Sequence, residues 1–163
     1  MTLSVALKTV AEGGSVLISY GGGQSQFFTA CCNGSDIFLT AAITFQNETN
    51  TYDIDLAASG ERVDGIVVAE AFPYKVDLTK SSDSCFTDNT WVICYKPIAQ
   101  DILYATTTTN TSISKDAWVK YVDGFLTSAS NKNDAIGKLN YAGAAVTAAS
   151  ATEFIVDIIW GTD

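Results

Sequence analysis

The stretch that decides the fold is Ile136–Trp160, IGKLNYAGAAVTAASATEFIVDIIW, which ends in Glu153-Phe154-Ile155-Val156-Asp157-Ile158-Ile159-Trp160. Side chains on a strand alternate between faces, so Phe154, Val156, Ile158 and Trp160 line one wholly apolar side. Burying such side chains is worth roughly 1.5–3 kcal/mol each. That face must therefore be covered, and the segment reads as a central or closing strand. The other face carries Glu153, Ile155, Asp157 and Ile159, a mixed surface suited to partial contact. The preceding Ala142–Thr152 is nearly all Ala, Gly, Ser and Thr. Gly143, Val146, Thr147, Ser150 and Thr152 weaken a helix there, which leaves a short strand or loop leading into the last strand.

Outward from this segment the same period of two recurs. Val16, Ile18 and Tyr20 share a face, and Gly21-Gly22-Gly23 predicts a turn that returns Ser25–Ala30 as the second arm of a hairpin. Asn33-Gly34 is a turn signal, followed by the alternating Ile37, Leu39, Ala41, Ile43 and Phe45. Residues 46–51, QNETNT, form a polar hinge. Tyr52, Ile54 and Leu56 then alternate with Asp53 and Asp55, a strand with one wet face. A turn at Ser59-Gly60 leads into 61–68, and further strands are predicted at Val76 and Leu78, at 91–96 before Pro97, at 102–108, and at 118–122. The last of these turns through Asp123-Gly124 into 125–127. Many short strands separated by turn residues predict an all-β protein, an antiparallel β-barrel or β-sandwich. Residues 1–45 are expected to form an N-terminal arm and hairpin strands, as an arm or as added strands that complete the sheet, in one compact unit with a main part at 51–163.

The composition narrows the function. A chain of 163 residues is apolar at 47% and charged at 17%, a bias toward a dense β core or toward surface buried on a partner. The net charge of −9 argues against nucleic acid, because phosphate contacts dominate that affinity. No apolar run approaches the roughly 20 residues of a membrane helix. Lys8 and Glu12 stand where a secretory signal would need apolar residues. Cys31, Cys32, Cys85 and Cys94 allow three pairings, and a protein made in a cytoplasm keeps such thiols free.

Catalytic chemistry has no foothold. There is no histidine, which removes Ser-His and Cys-His nucleophile pairs. Gly21–Gly23 lacks the Gly-Lys-Ser/Thr of a phosphate loop. Asp53 and Asp55 read as the solvated side of a strand. Asn131-Lys132-Asn133-Asp134 meets Ala135 where a calcium loop needs another oxygen ligand. Trp91, Trp118 and Trp160 sit at strand positions suited to the core. The reading is a non-enzyme without metal or cofactor.

Three passages carry a family resemblance. Leu56–Val67 holds a G-x-x-V-x-G-I pattern, and Ile113–Leu126 is similar to an I-x-x-G-D-x-V-x-Y-x-x-G strand pair. Ile136-Gly137-Lys138-Leu139 with the Ala-rich approach to the last strand completes the order. Together they resemble the small capsid decoration (cement) proteins of tailed double-stranded DNA viruses. Lys115-Asp116 departs from the family's Gly-Asp. The resemblance implies a β-barrel or sandwich with an N-terminal arm, commonly trimeric. It implies a virion protein, made in the host cytoplasm, that binds the major capsid protein on the outer capsid surface and stabilises the shell. Leu3, Val5, Leu7 and Val10 are the candidate contact with capsid or a neighbouring subunit. The competing readings are a self-assembling tail-tube, pilus or surface-layer subunit, and a carbohydrate-binding β-sandwich.

Overall fold

The structure, a computed structural model, describes residues 17–19, 26–47, 50–77, 80–81, 83–107, 112–114, 116–140, 146–147 and 154–162. In chain order the strands are β1 (Leu17–Ser19), β2 (Phe27–Cys32), β3 (Ala42–Asn47), β4 (Asn50–Leu56), β5 (Gly65–Glu70), β6 (Trp91–Tyr95) and β7 (Ile102–Thr107). They continue as β8 (Ser112–Ile113), β9 (Trp118–Val122), β10 (Phe125–Ser128), β11 (Gly137–Leu139), β12 (Val146–Thr147) and β13 (Phe154–Trp160). The all-β architecture forms as two closed rings joined end to end in sequence.

The first ring is a barrel in the order β2-β4-β3-β5-β6. Only its β2–β4 pair is parallel; the other neighbours are antiparallel. The second runs β7-β10-β9-β11-β13 and closes because β13 pairs back onto β7. Its one parallel pair is β7–β10. β1 lies outside this ring against the start of β7, and β8 pairs with β12.

The two rings share one wiring and one register. Cys32 faces Ile54 as Thr107 faces Leu126. Ile43 faces Gly65 as Val119 faces Gly137. Ile43 faces Leu56 as Val119 faces Ser128. Phe27 and Ile66 both face Tyr95, as Ile102 and Lys138 both face Ile159. The likeness extends to the backbone: Thr40 and Asp116, each two residues before the second strand of its ring, both have positive φ, at 77° and 56°. The chain is a tandem of two barrels of one design.

Equivalent positions fill both interiors. The first barrel buries Ala30, Cys32, Ile43, Ile54, Val67 and Cys94, with Phe28 and Phe45 packed against them. The second buries Ala105, Val119, Tyr121, Leu126, Leu139, Ile158 and Leu103. This second core runs on into the outer face of the first barrel, at Ala42, Ile66, Val68 and Tyr95. The rings are therefore cemented by burial, which scales with apolar area removed from water. Polar contacts fix the angle of approach. Gly124 N–H donates to the Ala57 carbonyl at 3.1 Å, and Ala42 N–H donates to the Gly124 carbonyl at 3.3 Å. The Thr40 and Thr106 hydroxyls lie 2.5 Å apart, and the Phe38 and Phe125 rings stack at 4.6 Å.

Several expectations change. The strand at 154–160 does close a ring, but the boundary expected between residues 45 and 51 falls inside the first barrel. β2 and β3 cannot form an arm, because β4 to β6 need them to complete their hydrogen bonds. Residues 46–47 and 50–51 belong to β3 and β4, paired strands of that barrel. β1 does not pair with β2; its partner is β7. Residues 37–41 alternate like a strand yet form a turn-containing segment whose Ile37, Phe38, Leu39 and Ala41 are all buried. Val76 lies in no strand; Lys75 makes an isolated bridge with Glu70.

Candidate functional site

Leu3, Val5, Leu7 and Val10 lie outside the described residues, as does the Gly21–Gly23 turn. The remaining candidates resolve into structural roles. Asp55 accepts hydrogen bonds from Asn33 Nδ2 at 3.4 Å and from Gln46 Nε2. Asn131 caps a 3-10 turn at Lys132–Asp134, its Oδ1 accepting from Asn133 N–H and Asp134 N–H at 2.9 and 3.2 Å. Asp134 pairs with Lys120 at 3.3 Å. The Asn131 oxygen thus serves the loop itself, and that of Asp134 ties the loop to β9. Among the described residues no group of His, Cys, Asp or Glu is placed to hold a metal ion.

All four cysteines are free thiols. Cys32 and Cys94 point into the first barrel, where an uncharged thiol is the comfortable form. Burial pushes Cys32 up to about 12, with Cys31 adding to the shift. Burial also raises Cys94, helped by Cys32. Cys31 is raised by burial first, then by Asp53 and Asp88. The thiolate is the nucleophile, so these side chains are packing groups rather than reactive ones.

Where the barrels meet, the corresponding loops of each, Gly60–Val63 and Asn133–Ile136, border a cleft of about 240 Å³ with Lys120 and Tyr121. The Tyr121 hydroxyl is buried without a hydrogen-bond partner, and burial pushes its pKa well above the usual phenol range.

The most exposed apolar groups gather elsewhere, on the first barrel. Phe72, Tyr74 and Tyr52 are 70%, 62% and 47% exposed, and no other large hydrophobic side chain among the described residues is as open. Tyr52 and Phe72 both pack on the half-buried Trp91, with ring centroids 5.4 and 6.3 Å away. β4 carries a bulge just here: Phe45 faces Ile54, yet Asn47 faces Asn50. A bulge re-aims the side chains beside it, which turns Tyr52 toward Trp91 instead of keeping it in step with Ile54. Trp118 and Trp160 are likewise half-buried, and the Lys138 ammonium sits 4.4 Å from the Trp118 ring centre. None of the three tryptophans is a fully buried core residue. Phe72 and Tyr74 carry no period-two signal; their one mark in the sequence is a Phe-Pro-Tyr triplet inside a connection rather than a strand.

The geometry defines a tandem-barrel protein built on packing and exposed aromatic surface. No family model matches the sequence, and no curated protein does. Among solved structures the chain is similar to the N base of head fiber gp8.5 of bacteriophage phi29. The TM-score is 0.55 at 9% sequence identity, covering 84% of this chain and 94% of that one. The likeness spans both barrels and is one of fold.

Proposed function

We propose that the protein is a virion structural protein that attaches to the outer surface of an assembled capsid and reinforces it, without catalysis. The observation that carries this reading is the two-barrel likeness to a phage head fiber base over nearly the whole of both chains. It agrees with the decoration-protein resemblance of 51–163, which rests on different evidence. The buried thiols, the unreactive carboxylates and the absence of histidine fit a protein that works by surface contact. The major capsid protein is the partner in this reading, and a homotrimer is the attaching form. Three copies acting together convert weak single contacts into durable attachment.

The test is co-sedimentation of purified protein with mature capsids of the virus of origin, alongside its mass by light scattering. Saturable binding, with a trimer of the 17.3 kDa chain, is expected. Deleting residues 1–12, which removes Leu3, Val5, Leu7 and Val10, should abolish binding while the barrels stay folded. Failure of the intact protein to bind capsid overturns the proposal. Undiminished binding by the truncated protein overturns the role of the arm alone.

A further inference from the structure

We propose that Tyr52, Phe72, Tyr74 and Trp91 form a stacking platform for an uncharged glycan. The argument starts from the tandem. Equivalent residues are 76 apart at Ile43 and Val119 but 72 apart at Leu56 and Ser128, so the first barrel's hairpin is longer by four residues. They are 72 apart at Gly65 and Gly137 but 64 apart at Tyr95 and Ile159, so its next connection is longer by eight. Both additions lead to one place. Tyr52 follows the longer hairpin, Phe72 and Tyr74 sit on the longer connection, and Tyr52 and Phe72 converge on Trp91. Neither addition is needed to close a barrel, since the second ring closes without it. In repeat proteins such additions map to loops on one face, often the binding face.

The chemistry of the patch selects the occupant. Its large open side chains are aromatic, with the Pro73 ring exposed between Phe72 and Tyr74, and among the described residues no large aliphatic side chain is exposed. Hydrogen-bonding groups border it: Asp53 lies in one cross-strand row with Cys31 and Trp91, and the exposed Asn89 stands two residues before Trp91. A sugar ring offers that complement, with C–H faces for the aromatic rings and hydroxyls for a carboxylate and an amide. Charge excludes the other candidates. A chain at −9 repels nucleic acid and anionic polysaccharide. An anionic membrane surface calls for a cluster of basic residues, whereas the lysine beside this patch, Lys75, stands 3.6 Å from the Asp77 carboxylate.

The experiment is titration of the full chain with cellohexaose, chitohexaose and maltoheptaose, followed by tryptophan fluorescence and calorimetry. Saturable binding of at least one is expected, with a change in emission because Trp91 lies under the ligand. Phe72→Ala and Tyr74→Ala should each weaken it about tenfold, the scale of one lost aromatic contact. Their thermal midpoints should stay unchanged, because both side chains are exposed. No saturation by any of the three up to about 10 mM, a ceiling already weaker than 4 kcal/mol of binding, overturns the proposal. So does binding that survives the double substitution. Loss of capsid binding in these variants, without sugar binding in the parent, overturns it in favour of a protein docking surface. Sugar binding is read in the absence of capsid, so this result stands apart from the capsid test.

Discussion

Gly65 and Gly137 occupy one position in two barrels: each opens the fourth strand of its ring, and each faces the residue that leads the second strand inward, Ile43 or Val119. Neither position has room for a side chain. A methyl on Gly65 would come within 2.7 Å of the Phe28 ring, and one on Gly137 would meet the Ile159 carbonyl oxygen. A close neighbour at the same place in each ring, the Phe28 side chain in the first and the Ile159 backbone in the second, is what selects glycine twice.

The two substitutions should therefore differ in cost. Gly65→Ala presses on the end of a side chain that can rotate. Gly137→Ala presses on backbone held in the β11–β13 ladder. Overpacking of this kind costs about 1–3 kcal/mol, and Gly137→Ala should lie at or above the top of that range. Urea unfolding of both variants checks the order, which Gly65→Ala being the worse would reverse.

Tyr121 fills the interior place that Phe45 fills in the first barrel, and its hydroxyl has no partner. An unsatisfied buried polar group costs about 1–3 kcal/mol. Tyr121→Phe removes that group and leaves the ring. The variant should gain stability by an amount in this range, read as a higher urea midpoint with the slope unchanged. A lowered midpoint would mean that the hydroxyl is satisfied by an ordered water.

Asp101 is fully buried in the connection between the barrels, where it accepts from Tyr95 OH at 2.7 Å and Ile98 N–H at 2.9 Å. Asp101→Ala strands both donors and should cost about 2–5 kcal/mol, well above the cost of Tyr95→Phe. A double-mutant cycle of the two should return a coupling of at least about 1 kcal/mol. Additive effects would remove the pair as a device joining the rings.

The thiols give a pH prediction. An unfolded chain releases the Cys32 proton in the ordinary thiol range near 9, whereas the native state holds it to about 12. Between those values the native state binds more protons than the unfolded state, so stability falls as pH rises. The contribution is fully present below about pH 9 and lost on approach to 12. Urea midpoints taken from pH 8 to 11 should fall, less steeply for Cys32→Ala relative to its own value at pH 8. A thiol reagent should label the half-buried Cys85 first and reach Cys32 and Cys94 only on unfolding.

The period-two pattern located most strands because alternation is a local property of a half-buried ribbon. The run from Phe154 to Trp160 announced a covered closing strand, and it closes the second ring. Residues 37–41 misled for the same reason: burial on both sides of a turn between packed barrels yields an apolar run without a strand. The Asp53 and Asp55 alternation was legible as an outer face. Tyr52 was not, because a bulge breaks its phase and nothing in a period of two marks where one falls.

By itself the sequence determined the all-β class, the acidic balance of the chain and its lack of histidine, since these follow from residue types and local spacing. Only the tertiary structure decided that the chain is one barrel built twice. Equivalent interior places hold Phe45 and Tyr121, Ile54 and Leu126, or Cys94 and Ile158, and their separation drifts from 76 to 64 residues. A β core asks each inward position for apolar volume rather than for one residue, and connections change length freely. Ring closure conserves register, and register exists only between strands brought together in space.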